Sequence, residues 1–156
     1  MLFTSTTFFY FHLLVLALRW ALPRAAVGPL LLVSSYLFYL SWGPKYGLLV
    51  AAMTAATWGV GLALERAEGQ AAKKKALVAS AVVALLGVLA YFKYVNFLSE
   101  QWFVVARLFG QRAARARFDV VLPLGVSFFT FETISYVVDV YRGDRAERSP
   151  WRFALY

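Results

Sequence analysis

Six apolar runs divide the chain, separated by short polar or glycine–proline breaks. Long apolar runs with charge confined to their ends are the pattern of membrane-spanning helices, because crossing a ~30 Å hydrocarbon core takes about 20 residues. On that pattern spans are expected at residues 4–20, 27–42, 46–64, 76–94 and 122–141. Pro23-Arg24 and Gly43-Pro44-Lys45 supply the first two turns, since Gly and Pro interrupt helices. The polar stretch 65–75, ending in Lys73-Lys74-Lys75, supplies the third. Residues 98–109 are apolar but too short to cross, and Trp102, Phe103, Val105, Ala106 and Phe109 fit one helix face, which predicts an interfacial helix. The expected fold class is all-α: a polytopic transmembrane helical bundle of about five membrane segments plus that short interfacial helix, all within one membrane-embedded domain.

Side-chain spacing adds detail inside the runs. Gly47, Ala51, Ala55, Gly59 and Ala63 recur at every fourth position, a smooth ridge that predicts close approach of another helix. Ala76, Ser80 and Ala84 repeat the device in the fourth run. Trp58 is expected to fill space against a neighbour, and Ser34 and Ser35 to bond back to helix carbonyls. Tyr36, Phe38, Tyr39 and Trp42 form an interfacial belt, and Lys93 sits among Tyr91, Phe92 and Tyr94, where a lysine can snorkel. His12 lies in mid-span; the expectation is a neutral imidazole hydrogen-bonded to a neighbouring helix, with a catalytic or proton-relay role as the alternative.

The last run differs from the others. It carries Glu132 and Asp139, together with the hydroxyls of Ser127, Thr130, Ser135 and Tyr136. At ~100° per residue, Glu132, Ser135, Tyr136 and Asp139 fall in one stripe. Ionisable groups in hydrocarbon face a bundle interior or a wet cavity, so the stripe is expected to form a polar seam directed inward. Pro123 and Gly125 mark its entrance, and Arg142 follows Asp139 within ion-pair reach. Two readings stand. In one, Asp139 and Arg142 form a structural ion pair at the membrane boundary while Glu132 bonds a neighbouring helix. In the other, the seam lines a tunnel for a polar substrate.

Composition supports the bilayer as solvent. Hydrophobic residues make up 62% of the chain, against about 45–50% in soluble domains. The net charge of +8 does not point to nucleic acid, because the basic residues lie between apolar runs rather than along one solvated face. Their distribution reads as topology instead. With the N-terminus outside, the inner loops hold Arg19, Arg24, Arg66, Lys73, Lys74 and Lys75, and the outer side of the first four spans holds Lys45. Arg107, Arg112, Arg115 and Arg117 run against this count, so either the interfacial stretch dips back or the early loops dominate. The absence of cysteine excludes disulfides and thiolate metal sites, and a single histidine argues against a zinc site or a Ser-His-Asp triad within these residues.

Four stretches resemble the membrane-bound O-acyltransferase family in its bacterial alginate O-acetylase type. The longest is Leu122-Pro123-Leu124-Gly125-Val126-Ser127-Phe128-Phe129-Thr130-Phe131-Glu132-Thr133-Ile134-Ser135-Tyr136, continuing through Asp139-Val140-Tyr141-Arg142-Gly143. Met1-Leu2-Phe3-Thr4-Ser5, Ser34-Ser35-Tyr36-Leu37-Phe38-Tyr39 with Trp42, and Tyr91-Phe92-Lys93-Tyr94-Val95-Asn96-Phe97 are similar to the family's opening, second span and end of the fourth span. At Glu132 the family often carries Gln or another polar residue, so a negative charge there is not indispensable. The resemblance implies transfer of an acyl group, often acetyl, from acetyl-CoA or another acyl carrier onto a hydroxyl of an exported polysaccharide, with no bound cofactor or metal. It implies a multi-pass protein of the bacterial inner membrane that works with other proteins of a polysaccharide acetylation system. The family's catalytic histidine belongs to a later segment and His12 does not match it, so the resemblance assigns no catalytic residue here. Residues 151–156 turn apolar again, which predicts an N-terminal part of a longer protein, inactive by itself. A non-enzymatic polytopic scaffold or partner subunit is the alternative reading, and an ion-coupled transporter using Glu132 and Asp139 a third.

Overall fold

The structure, a computed structural model, describes residues 5–109, 118, 120 and 125–155. Every regular element among them is a helix: α1 (Thr6–Ala21), α2 (Arg24–Leu40), α3 (Pro44–Arg66), α4 (Ala71–Leu108), α5 (Val126–Arg142) and the single turn α6 (Pro150–Phe153). The breaks fall where local chemistry demands them. Ser5 caps α1, its hydroxyl accepting the N–H of Phe8 at 3.2 Å. Pro23 precedes α2, and Pro44 opens α3 at a position whose N–H would have no helical partner in any case. Ser149 caps α6, again with a proline in its first turn.

One boundary departs from expectation. The fourth span and the interfacial helix are a single helix of 38 residues, α4. Residues 91–98 contain neither Gly nor Pro, so nothing compels a break there. Polar groups there and just beyond find partners: Ser99 donates to the carbonyl of Asn96 at 2.9 Å, and the Asn96 side chain accepts the N–H of Phe118 at 3.0 Å. Polarity marks a change of environment; it does not by itself end a helix.

Two helices, α3 and α4, are long and apolar enough to cross a membrane, and α1 and α2 are shorter apolar helices. In α4 only 11% of the most apolar window is buried. Most of the apolar surface of α4 is therefore left bare by the described residues, as a membrane-crossing helix would leave it. Residues 122–124, including Pro123, the opening Met1–Thr4 tetrad, and Arg112, Arg115 and Arg117 lie outside the described residues.

The chain forms two compact units, 1–62 with 145–156, and 63–144. In the first, α1 packs on α2, with Phe8 and Phe38 edge to face at 5.6 Å. In the second, α4 packs on α5. Lys74, near the start of α4, lies 5.8 Å from the ring of Tyr141, near the end of α5, so the pair is antiparallel. The buried positions Ala81, Leu85 and Leu89 of α4, and Val126, Thr130, Val137 and Val140 of α5, each recur with helical spacing.

Candidate functional site

The polar helix α5 begins at Gly125, which adopts a left-handed conformation with φ 72°. An L side chain disfavours that geometry, so the glycine allows the chain to turn into the helix. Among the candidate side chains, Thr130 is fully buried and donates its hydroxyl to the Val126 carbonyl at 2.6 Å. Thr133 donates similarly to Phe129 and Thr130, at 2.8 and 2.9 Å. These hydroxyls serve their own helix. Ser127, Glu132 and Asp139 are half-buried, Tyr136 is buried and Ser135 is exposed.

Of the stripe Glu132, Ser135, Tyr136 and Asp139, Tyr136 alone is buried by the described residues. Helical spacing defines stripes but does not say which one meets the neighbour. The buried positions of α4 are all apolar, so α5 presents its valines to the pairing and leaves the carboxylates at the margin. The Asp139–Arg142 ion pair is likewise not formed. Asp139 accepts the hydroxyl of Ser135 at 3.4 Å instead, while Arg142 is exposed. Glu132 makes no hydrogen bond to a neighbouring helix among the described residues.

His12 also departs from expectation. It is exposed, and its ring stacks 6.1 Å from that of Phe8, one turn back on its own helix. The small-residue ridge of α3 packs only at its start. A Cβ at Gly47 would stand 2.9 Å from Leu40 Cδ2, whereas at Gly59 nothing lies within 4 Å. The buried residues of α3 include Tyr46, Met53, Thr57 and Leu64, on a different face.

Between these positions, Ala51 and Ala55 line a groove of about 720 Å³ in the first unit. Leu32, Tyr36 and Leu40 of α2, Trp58 of α3, and Trp151 and Phe153 of α6 complete its walls. Trp58 fixes the segment before α6 by donating its indole N–H to the Glu147 carbonyl at 2.8 Å. Spacing along α3 pointed to a smooth face but not to its partner, which arrives from residues 147–154. The only signal was the Ser149-Pro150 start of a new helix carrying Trp151 and Phe153. Among the described residues, no three His, Asp or Glu side chains are grouped to hold a metal ion.

Comparison with known proteins gives the following likenesses. The chain is 37% identical over 145 residues to the probable alginate O-acetylase of Pseudomonas aeruginosa, covering 92% of this chain and 28% of that protein. It is also 37% identical over 145 residues to the probable alginate O-acetylase of Azotobacter vinelandii, covering 92% of this chain and 29% of that one. To the peptidoglycan O-acetyltransferase of Helicobacter pylori it is 27% identical over 112 residues, 72% of this chain and 20% of that protein. The chain thus spans less than a third of the length of these curated relatives. No family model and no solved structure matches it.

Proposed function

Because the chain belongs to the membrane-bound O-acyltransferase family, as a partial relative of the alginate O-acetylases, we propose that it is the N-terminal part of an enzyme that acetylates hydroxyls of an exported polysaccharide such as alginate. The observation that carries this reading is the 37% identity to an alginate O-acetylase in an alignment that covers 92% of the chain.

The proposed protein is a multi-pass bundle of the bacterial inner membrane, with α1, α2 and α5 joining α3 and α4 as spans. Its N-terminus lies outside. The basic end shared by the start of α4 and the end of α5, with Lys73, Lys74, Lys75 and Arg142, supports an inner placement of that end. Residues 76–94 of α4 already cover ~28 Å at 1.5 Å per residue, so the rest of that helix projects beyond the hydrocarbon. The acyl donor is acetyl-CoA or another acyl carrier.

Acyl transfer to a hydroxyl needs a base to take the proton as oxygen attacks the acyl carbonyl. No residue of this chain is assigned that role. Ser127, Glu132, Ser135, Tyr136 and Asp139 instead contribute a polar wall beside the reacting groups, in concert with segments of the longer protein. Thr130 supports that wall from within α5.

The test is reconstitution of the full-length protein in liposomes with acetyl-CoA and alginate oligomers, followed by mass spectrometry of the sugar. Acetyl esters on the oligomers are expected without any added partner protein. A protein that forms none, but restores acetylation when mixed with a separate enzyme, would be a scaffold. Full activity of Glu132→Gln is also expected, since the wall needs polarity at that position and not a titrating proton; its loss would favour proton transfer through Glu132.

A further inference from the structure

The groove between α2, α3 and α6 belongs to the most one-sidedly charged part of the molecule. The unit that contains it carries Arg19, Arg24, Lys45, Arg145, Arg148 and Arg152 against one acid, Glu147. Arg19, Arg24 and Arg152 belong to one end of that unit. Arg19 closes α1 and Arg24 opens α2 across the turn that joins them. One turn beyond Arg24, a Cβ at Gly28 would stand 3.3 Å from Leu155, which brings the end of the α6 segment against the start of α2. Arg152 lies between the groove-lining residues Trp151 and Phe153. The same end displays Trp20 and Trp151, 78% and 69% exposed. Exposed tryptophans beside arginines are the signature of the headgroup level of a bilayer.

We propose that this groove holds one acyl chain of an anionic phospholipid from the surrounding leaflet, with the lipid phosphate against Arg24 and Arg152. The side chains of the groove walls are apolar apart from Thr54 and the polar atoms of Tyr36, Trp58 and Trp151, and the Trp58 N–H is committed to Glu147. From Leu32 to Leu40 the wall of α2 runs ~12 Å along the helix axis, a slot suited to a flexible hydrocarbon chain. At its α6 end the exposed Arg24 and Arg152 present positive charge that a zwitterionic lipid would not neutralise and an anionic one does. The inference depends on residence of the chain in a membrane and not on the acyl-transfer reading.

The test is native mass spectrometry of the full-length protein in mild detergent, titrated with phosphatidylglycerol or phosphatidylcholine of matched chains. Preferential retention of phosphatidylglycerol is expected. Ala55→Phe fills the groove and should abolish that retention. Ala52→Phe, at an exposed position of the same helix that does not line the groove, should leave it unchanged. Arg24→Gln and Arg152→Gln, both at exposed positions, should each lower retention about fivefold, the factor expected for loss of one cation at a lipid surface. These surface variants keep the question answerable if Ala55→Phe fails to fold. Equal retention of the two lipids, undiminished retention in both arginine variants, or retention of an acyl-CoA in place of the phospholipid would overturn the proposal.

Discussion

The indole N–H of Trp58 donates to the carbonyl oxygen of Glu147 at 2.8 Å, joining the middle of α3 to a segment 89 positions later. This bond holds the approach to α6 and so shapes one wall of the groove. Trp58→Phe keeps an aromatic ring in place but removes the donor. The expected cost is about 1–3 kcal/mol, because the Glu147 carbonyl is left without its partner. Thermal unfolding in detergent should show a lowered midpoint. Trypsin should cut faster after Arg145 and Arg148, which flank the released carbonyl.

Gly125 holds φ 72° at the entrance to α5. Gly125→Ala forces an L side chain into the left-handed region, at a cost of about 1–2 kcal/mol. Gly125→Asn should cost less, since asparagine enters that region more readily. Unfolding midpoints of the two variants, ordered with Asn above Ala, check this. Equal midpoints for wild type and Gly125→Ala would contradict a backbone role.

Two buried threonines should respond differently to valine. Thr57 is 2% exposed and its hydroxyl has no hydrogen-bond partner among the described residues. Thr57→Val exchanges an unsatisfied polar group for a methyl of similar shape and should stabilise by about 1 kcal/mol. The Thr130 hydroxyl is bonded to Val126, so Thr130→Val should be neutral or cost up to about 1 kcal/mol. The acetyl transfer proposed above should survive Thr130→Val, because that hydroxyl serves its own helix.

The two ends of the α3 ridge should tolerate bulk unequally. At Gly47 a new Cβ meets Leu40 at 2.9 Å, with the Leu40 Cγ at 3.3 Å behind it, so Gly47→Val should cost about 1–3 kcal/mol through overpacking. Gly59 has open space within 4 Å of its Cβ position, and Gly59→Val should cost nothing comparable. Unfolding of the two variants under identical detergent conditions makes the comparison.

Much of the local structure was determined by the order of residues. Apolar runs and the breakers Pro23, Pro44 and Gly125 place helix starts to within a few residues, because a missing N–H or a left-handed turn acts on the backbone directly. The motif 122–143 pointed to the acyltransferase family for a related reason, since residue types at fixed spacing survive without knowledge of what they touch. Tertiary structure alone decided the rest. Helical spacing made two stripes on α5, and the apolar face of α4 selected Val126, Thr130, Val137 and Val140 over the stripe of Glu132 and Asp139. Asp139 met Ser135 rather than Arg142, a choice between two neighbours at helical spacing that spacing itself does not make. The ridge of Gly47, Ala51, Ala55, Gly59 and Ala63 was legible as a smooth surface. That Gly47 would press on Leu40, that Ala51 and Ala55 would line a groove, and that residues 147–154 would wall it depends on contacts between distant parts of the chain, which local propensity does not encode.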